Sequence, residues 1–98
     1  MCGIFASTFP ISDSEIKRRL NIINHRGPDN SGYIKLDDVA LGHNRLSIID
    51  LDERANQPFE YNGMLIVFNG EIYNHVEMRR DLESKGYGFR STSDTEVL

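Results

Sequence analysis

The first five residues, MCGIF (1–5), contain the only cysteine of the 98-residue chain, directly behind the initiator methionine. Removal of Met1 would give Cys2 both a thiol and a free α-amine. The thiol has an ordinary pKa of about 8.5, and an α-amine, at about 7.7–8.0, can serve as its general base. An N-terminal cysteine is therefore a candidate nucleophile that carries its own base. The alternative interpretation is a small, buried and inert residue near a chain end.

The composition predicts at most one globular domain with a small core, since 39% of the residues are hydrophobic and 27% are charged. The net charge of −4 argues against nucleic acid or a membrane surface as partners. The one basic cluster, Lys17–Arg19, is interpreted as a solvated helix face. The longest apolar run, Met64–Phe68, is too short to cross a bilayer, and no signal peptide is recognisable. A single cysteine allows no internal disulfide, which favours a cytoplasmic location.

Helical and strand patterns alternate in the first half of the chain. A capping box at Ser12–Glu15, followed by apolar residues at helical spacing, predicts a helix over Asp13–Asn24. Two paired strands are predicted at Gly32–Leu36 and Val39–Ile49. Gly42, inside the second of these, indicates a close approach of another element to the backbone.

The second half begins with a strong hairpin signal. The Asn-Gly pair within Tyr61–Met64 predicts a type I′ turn, with Met64–Phe68 as a buried strand after it. A second helix is predicted to start at Asn74 and to close at Gly86. Ser93–Glu96 is another capping box, only two residues before the end of the given sequence. We therefore expect this helix to continue in a longer chain of which these residues are a part.

Six motifs in a fixed order identify a family resemblance. They are MCGIF (1–5), HRGPDNSG (25–32), GHNRLSIIDL (42–51), NQP (56–58), FNGEIYN (68–74) and STSDTEVL (91–98). Together they resemble the amino-terminal glutaminase domain of glutamine-hydrolysing asparagine synthetases, a branch of the class II glutamine amidotransferases. The HRGPD form favours the asparagine-synthetase branch over related amidotransferases. The resemblance covers essentially the whole chain.

The resemblance implies three catalytic residues. Cys2 would attack the side-chain carboxamide of glutamine, form a glutamyl thioester and release ammonia. Asn69 and Gly70 match the family's oxyanion hole, in which a side-chain amide and a backbone N–H meet the developing negative oxygen. Such a donor typically lowers the barrier by about 3–4 kcal/mol. Without the resemblance, the Asn-Gly-Glu sequence would be interpreted as a tight turn after a strand.

The resemblance also implies a pocket for the zwitterionic substrate glutamine. Arg45 matches the arginine that binds the substrate carboxylate, for which a guanidinium offers two parallel donors. Asp94 matches the aspartate that holds the substrate ammonium, and Glu71 is a second polar contact. The pocket would also be lined, largely through main-chain atoms, by Leu46, Ser47, Ile48 and Ile49. Taken alone, Arg45 and Asp94 would be interpreted as surface charges.

Three histidines in the sequence, His25, His43 and His75, have no metal-ligand spacing, and no second cysteine accompanies them. We therefore expect structural roles for them and no metal site. In the HRGPD motif, Asp29 and Asn30 are expected to brace the loop near Cys2.

The fold implied by the resemblance is the α+β sandwich of N-terminal nucleophile hydrolases, with antiparallel sheets in an αββα arrangement. The nucleophile of that fold lies at the start of a strand at the sheet edge. Residues 1–98 would form only the N-terminal portion of the glutaminase domain, and the synthetase domain of the full-length chain would be absent. The glutaminase step would need no cofactor, whereas ATP and Mg²⁺ would serve the synthetase domain. A homodimer is one alternative for the oligomeric state, which the sequence leaves open.

The function implied is glutamine hydrolysis that supplies ammonia for ATP-dependent asparagine synthesis from aspartate. One alternative keeps the glutaminase and changes the acceptor to a sugar or to a peptide carboxylate in cell-envelope biosynthesis. Another is a non-catalytic module that binds amino acids. Retention of Met1 would favour this last alternative, because the amine would then be tied up in a peptide bond.

Overall fold

The computed structural model describes all of residues 1–98, which fold as a small α+β domain with two antiparallel sheets. This confirms the predicted α+β class. Its strands are β1 (Gly3–Ser7), β2 (Asn30–Lys35), β3 (Ala40–Arg45), β4 (Phe59–Tyr61) and β5 (Met64–Ile66). Its helices are α1 (Asp13–Ile22) and α2 (His75–Ser84), with 3₁₀ turns at Asn24–Arg26, Glu53–Ala55 and Asp94–Val97.

Helix α1 packs on a three-stranded sheet in which β3 lies between β1 and β2. Ile16 and Leu20, four residues apart on α1, are buried against Ala40 of β3. The opposite side of α1 is exposed, and it includes Lys17–Arg19, as predicted. A Cβ atom on Gly42 would lie only 3.0 Å from Cδ2 of Leu20, which confirms the close approach expected at this glycine.

The start of α1 follows the predicted capping box in part. The Ser12 hydroxyl accepts a hydrogen bond from the Glu15 backbone N–H at 3.2 Å. The Glu15 carboxylate, however, binds the guanidinium groups of Arg18 and Arg19 instead of returning to Ser12. These ion pairs leave the reciprocal half of the box unmade.

The predicted strand Val39–Ile49 was too long, because β3 ends at Arg45. The Arg45 main-chain oxygen accepts a hydrogen bond from the Asp29 N–H at 2.9 Å, after which the chain leaves the sheet. Residues 46–52 then form a loop whose carbonyls at 49, 50 and 52 accept hydrogen bonds from the Arg45 guanidinium.

The hairpin signal is confirmed, since β4 pairs with β5 around a turn with positive φ at Asn62 (49°) and Gly63 (79°). The expected buried strand Met64–Phe68 is wrong in two respects. Regular strand geometry ends at Ile66, and Met64 is 66% exposed. The sheet has only two strands, so nothing pairs with the far edge of β5.

The ends of α2 agree with the prediction, although one cap is made differently. Asn74 is the N-cap residue, but its side chain makes no capping hydrogen bond. Gly86 has a φ of 94° just after the helix, and N–H groups at 86 and 87 bond to Glu83 and Leu82 carbonyls. This is a Schellman ending, which favours glycine because of its left-handed conformation.

Candidate active site

The Cys2 side chain lies at one end of the three-stranded sheet. Cys2 immediately precedes β1, an edge strand, and the pairing of Gly3 with Asn44 places it beside the end of β3. The Leu46 N–H donates to Cys2 Sγ at 3.3 Å, and the thiol is 3.7 Å from the Leu46 carbonyl oxygen. Arg26 Nε donates to the Cys2 carbonyl at 3.1 Å. The sulfur is thus held between the chain start and the loop after β3.

A single cleft beside Cys2 collects nearly all of the site residues expected from the sequence; we call it the Cys2 cleft. Its lining includes Cys2, Arg45, Leu46, Ile48, Ile49, Asn69, Gly70, Glu71 and Asp94. These residues come from four separate parts of the chain. Ser47 is the exception, because it does not line the cleft.

The Ser47 main chain is used for bracing instead. Its N–H donates to Asp29 Oδ2 at 2.7 Å. Together with the bond between Asp29 N–H and the Arg45 carbonyl, this joins the HRGPD loop to the loop after β3. The expected bracing role of Asp29 is therefore observed.

Arg45 lies in the cleft wall with only 5% of its surface exposed. Its Nη1 donates to the Asp52 carbonyl at 2.9 Å and to Asn56 Oδ1 at 2.8 Å. Its Nη2 donates to the carbonyls of Ile49, at 3.2 Å, and Asp50. The expectation that Arg45 offers two free parallel donors to a substrate is therefore corrected. Its two terminal nitrogens bind the loop, and only its Nε–H makes no hydrogen bond within the protein.

Asp94 provides a buried carboxylate that also lines the cleft. It is 7% exposed and begins the last 3₁₀ turn, which is capped by the Ser93 hydroxyl accepting from the Thr95 N–H. Ser93 is therefore an N-cap, but the predicted capping box is not formed, because the Glu96 carboxylate accepts from the Arg90 and Ser91 N–H groups instead of from Ser93. Asp94 Oδ2 accepts a hydrogen bond from the Ile72 N–H at 2.9 Å, whereas Oδ1 makes none. An ionised carboxylate can accept further donors, so Oδ1 is available to a ligand cation.

Asn69 and Gly70 follow β5 and enter the cleft together. A Cβ atom on Gly70 would lie 2.6 Å from Cζ of the Phe68 ring, so this ring leaves no room for a side chain. The Asn69 side chain makes no hydrogen bond within the protein, and its amide is available to a ligand. Glu71 lines the cleft but is largely exposed.

Four further polar residues of the cleft wall were not among the expected site residues: His43, Gln57, Ser93 and Thr95. All four are buried, and His43 has no exposed surface. Burial lowers the pKa of His43, although its Nε2 lies 3.3 Å from the Phe68 carbonyl oxygen. All four lie in motifs that carry the resemblance, which was the available signal, but none was assigned to the site, and His43 was expected to have only a structural role.

No group of three or more histidine, cysteine, aspartate or glutamate side chains that could hold a metal ion is found in the structure. His75 Nδ1 lies 3.0 Å from the Ile72 carbonyl oxygen, and His25 is exposed.

Asp50 connects the two sides of the cleft. Its Oδ2 accepts hydrogen bonds from the Thr92 N–H at 2.6 Å and from Arg54 Nε at 3.2 Å. The bond from Thr92 is the main reason that the pKa of Asp50 is lowered to about 2. The carboxylate therefore ties the loop around Arg45 to the segment that carries Asp94.

Comparison with known proteins identifies relatives of the whole chain. A family model described as a glutamine amidotransferase domain matches residues 1–98. The glutamine-hydrolysing asparagine synthetase 1 of Bacillus subtilis (strain 168) is 52% identical over an alignment covering 100% of this chain and 17% of that protein. The corresponding asparagine synthetase 1 of Arabidopsis thaliana is 41% identical, covering 100% of this chain and 18% of its own length.

A relative named as an amidase is also similar. Amidase chyE of Penicillium rubens is 44% identical over 86% of this chain and 13% of its own length. The chain thus spans less than a fifth of the length of these curated relatives. No helix in the structure could span a membrane, since α1 and α2 have ten residues each.

Proposed function

The chain belongs to the glutamine amidotransferase domain family, and from this premise we propose that it hydrolyses the side-chain amide of glutamine with Cys2 as the nucleophile. After removal of Met1, the α-amine takes the thiol proton while Cys2 Sγ forms a bond to the amide carbon. The same proton passes to the amide nitrogen, which leaves as ammonia. Water then cleaves the glutamyl thioester, giving glutamate and the free thiol.

Asn69 and Gly70 stabilise the negative oxygen that forms during attack. An N–H donor that is already fixed in place is most effective where charge develops in the transition state. The Asn69 amide has no competing partner, and Gly70, whose side-chain position is filled by the Phe68 ring, lines the cleft directly after it. We assign these two residues to the oxyanion hole on this basis.

The charged ends of glutamine bind to two different charged side chains of the cleft, Asp94 and Arg45. Asp94 Oδ1 accepts from the substrate ammonium, while Oδ2 remains bonded to the Ile72 N–H. The Arg45 guanidinium attracts the carboxylate through its charge and its Nε–H. Glu71 is a second contact for the ammonium, and the main chain of Leu46–Ile49 completes the wall beside Cys2.

One observation supports this proposal most strongly: a single cleft brings together Cys2, the Asn69–Gly70 pair and the buried Asp94, which lie far apart in the sequence. The test is glutamine-dependent release of ammonia and glutamate by the natural full-length polypeptide. Cys2→Ser should reduce the rate at least about 1,000-fold, whereas a Cys2→Ser protein with unchanged activity would refute the assignment. This comparison also tests the non-catalytic alternative, in which the thiol is dispensable.

We propose asparagine synthesis as the use of the ammonia, because two relatives named as glutamine-hydrolysing asparagine synthetases match the entire chain. In this proposal residues 1–98 are the N-terminal portion of an αββα glutaminase domain in a cytoplasmic enzyme. A synthetase domain in the same polypeptide would use ATP and Mg²⁺, and the glutaminase step would need no cofactor. ATP-dependent conversion of aspartate to asparagine by the natural protein, with glutamine or with ammonia, is the direct test.

A different ammonia acceptor is the second candidate, supported by the 44% identity to a protein named as an amidase. Glutaminase activity without asparagine formation from aspartate and ATP would favour this candidate. The acceptor could then be identified by offering sugar phosphates and peptide carboxylates to the same protein.

A further inference from the structure

Gln57 is a buried amide side chain between two segments of the Cys2 cleft. It is 8% exposed and lines the cleft wall. Its Oε1 accepts a hydrogen bond from the Phe68 N–H at 2.6 Å, and its Nε2 donates to the Thr95 hydroxyl at 3.2 Å. Both ends of one amide group are therefore used, each by a different part of the chain.

The two partners of Gln57 are the immediate neighbours of two proposed substrate contacts. Phe68 directly precedes the Asn69–Gly70 pair, and Thr95 directly follows Asp94. A shift of the Gln57 side chain would therefore change the distance between the Asn69–Gly70 pair and Asp94. The distance between the ammonium-binding carboxylate and the oxyanion hole must match the length of one substrate molecule, so this connection matters for the reaction.

Phe68 lies beyond the end of β5 and has no strand partner for its main chain. A buried main-chain N–H or C=O needs another partner in that situation. Gln57 supplies the partner for the Phe68 N–H, and His43 Nε2 lies 3.3 Å from the Phe68 carbonyl oxygen. Two buried side chains thus fix the peptide groups on both sides of Phe68, and they fix the direction in which the chain enters Asn69.

We propose that Gln57 is a positioning residue that holds the oxyanion hole at a fixed distance from the ammonium site, with His43 completing the support of Phe68. This inference rests on the proposed glutaminase function. Gln57 itself contacts neither the reacting carbon nor the leaving nitrogen in this account. Its effect is transmitted through Phe68 to Asn69 and through Thr95 to Asp94.

The test uses steady-state glutamine hydrolysis by the natural full-length polypeptide. Gln57→Met has a similar length and removes both hydrogen bonds. We expect kcat to fall about 10- to 100-fold, because displacing a catalytic group by about 1 Å costs on the order of 100-fold. Circular dichroism and the unfolding temperature of the variant establish whether it is folded.

A matched pair at Thr95 separates the two halves of the connection. Thr95→Val keeps the shape but loses the hydroxyl, whereas Thr95→Ser keeps the hydroxyl. We expect Thr95→Val to raise the KM for glutamine about 5- to 10-fold with kcat within about twofold, and Thr95→Ser to match the wild type. Thr8→Val, an exposed threonine outside the cleft, controls for the loss of a hydroxyl as such.

The outcomes distinguish this inference from the proposed function. A wild-type protein without Cys2-dependent ammonia release would overturn the proposed function, and the inference with it. An active wild type together with a folded Gln57→Met variant of unchanged kcat would overturn the inference alone. Should Gln57→Met fail to fold, the Thr95 pair decides: equal KM values for Thr95→Val and Thr95→Ser would contradict the inference.

Discussion

The substitution Gly27→Ala, which adds a single carbon atom in the HRGPD motif, is expected to destabilise the fold strongly. Gly27 is buried against the end of β3. A Cβ atom there would overlap the Asn44 carbonyl, at 2.5 Å from its carbon, and would lie 2.6 Å from the Arg45 carbonyl carbon. Carbon atoms in normal contact are about 3.5–4.0 Å apart, so one of the two segments must move by about 1 Å.

The expected cost follows from the atoms that are in the way. Inserting one methyl group into a packed interior typically costs about 1–3 kcal/mol. Here the obstacle is main chain, which cannot turn aside as a side chain can, so we expect a loss of about 3 kcal/mol or more. For a domain of this size, that corresponds to a fall in unfolding temperature of about 12 °C or more.

The assay is urea unfolding of wild type and variant, followed by circular dichroism. Gly88→Ala is the matched control, because its added Cβ would meet no atom within 4 Å, and we expect it to change stability by less than about 1 kcal/mol. A Gly27→Ala protein no less stable than Gly88→Ala would refute the packing argument. The displaced Arg45 main chain should also reduce glutamine hydrolysis, since it forms the cleft wall.

Three further predictions concern titratable groups that line the cleft or hold its segments together. Asp50→Asn should reduce the free energy of unfolding at pH 7 by about 2 kcal/mol, which is typical of hydrogen bonds to a charged group. The pKa of Asp50 is about 2 in the folded state and 3.8 ordinarily, so this stabilisation is complete above pH 4 and disappears as the pH falls through 2. Urea unfolding across that pH range tests this. Burial lowers the pKa of His43 in the folded state, so the unfolded state binds the proton more strongly and wild type should lose stability as the pH falls below 6.5. In His43→Gln the free energy of unfolding should depend less on pH in this range. Equal pH profiles for the two proteins would contradict this. Asp94→Asn should raise the KM for glutamine about 10- to 100-fold, by loss of a charge-assisted hydrogen bond to the ammonium, and an unchanged KM would remove Asp94 from the substrate site.

Sequence motifs predicted those structural elements whose conformation depends only on neighbouring residues, such as turns and helix ends. The Asn62–Gly63 turn was predictable because both residues adopt positive φ at low cost, and Gly86 closes α2 for the same reason. The end of β3 was not predictable, because it depends on the bond between Asp29 and Arg45, which are distant in sequence. The prediction that Met64 is buried was wrong, because the sequence pattern does not reveal how many strands a sheet has, and here no further strand or helix covers this residue.

The candidate site was predictable to a similar extent. The resemblance selected residues that the structure brings into one cleft, including Cys2 and Asp94. It did not reveal how Arg45 is used, because the backbone carbonyls that occupy its terminal nitrogens come from the curvature of a loop. Gln57 was also missed, since an amide that joins two segments is recognisable only when both partners are seen in space.

The central claim is that Cys2 is an N-terminal nucleophile in a glutamine-binding cleft. Intact-mass spectrometry of the natural full-length polypeptide, before and after treatment with the glutamine analogue 6-diazo-5-oxo-norleucine, tests it most directly. The account predicts a mass without Met1 and a single adduct on Cys2, with ammonia release abolished in proportion to labelling. A protein that hydrolyses glutamine while it retains Met1, or that is inactivated by an adduct elsewhere with Cys2 unmodified, would contradict it.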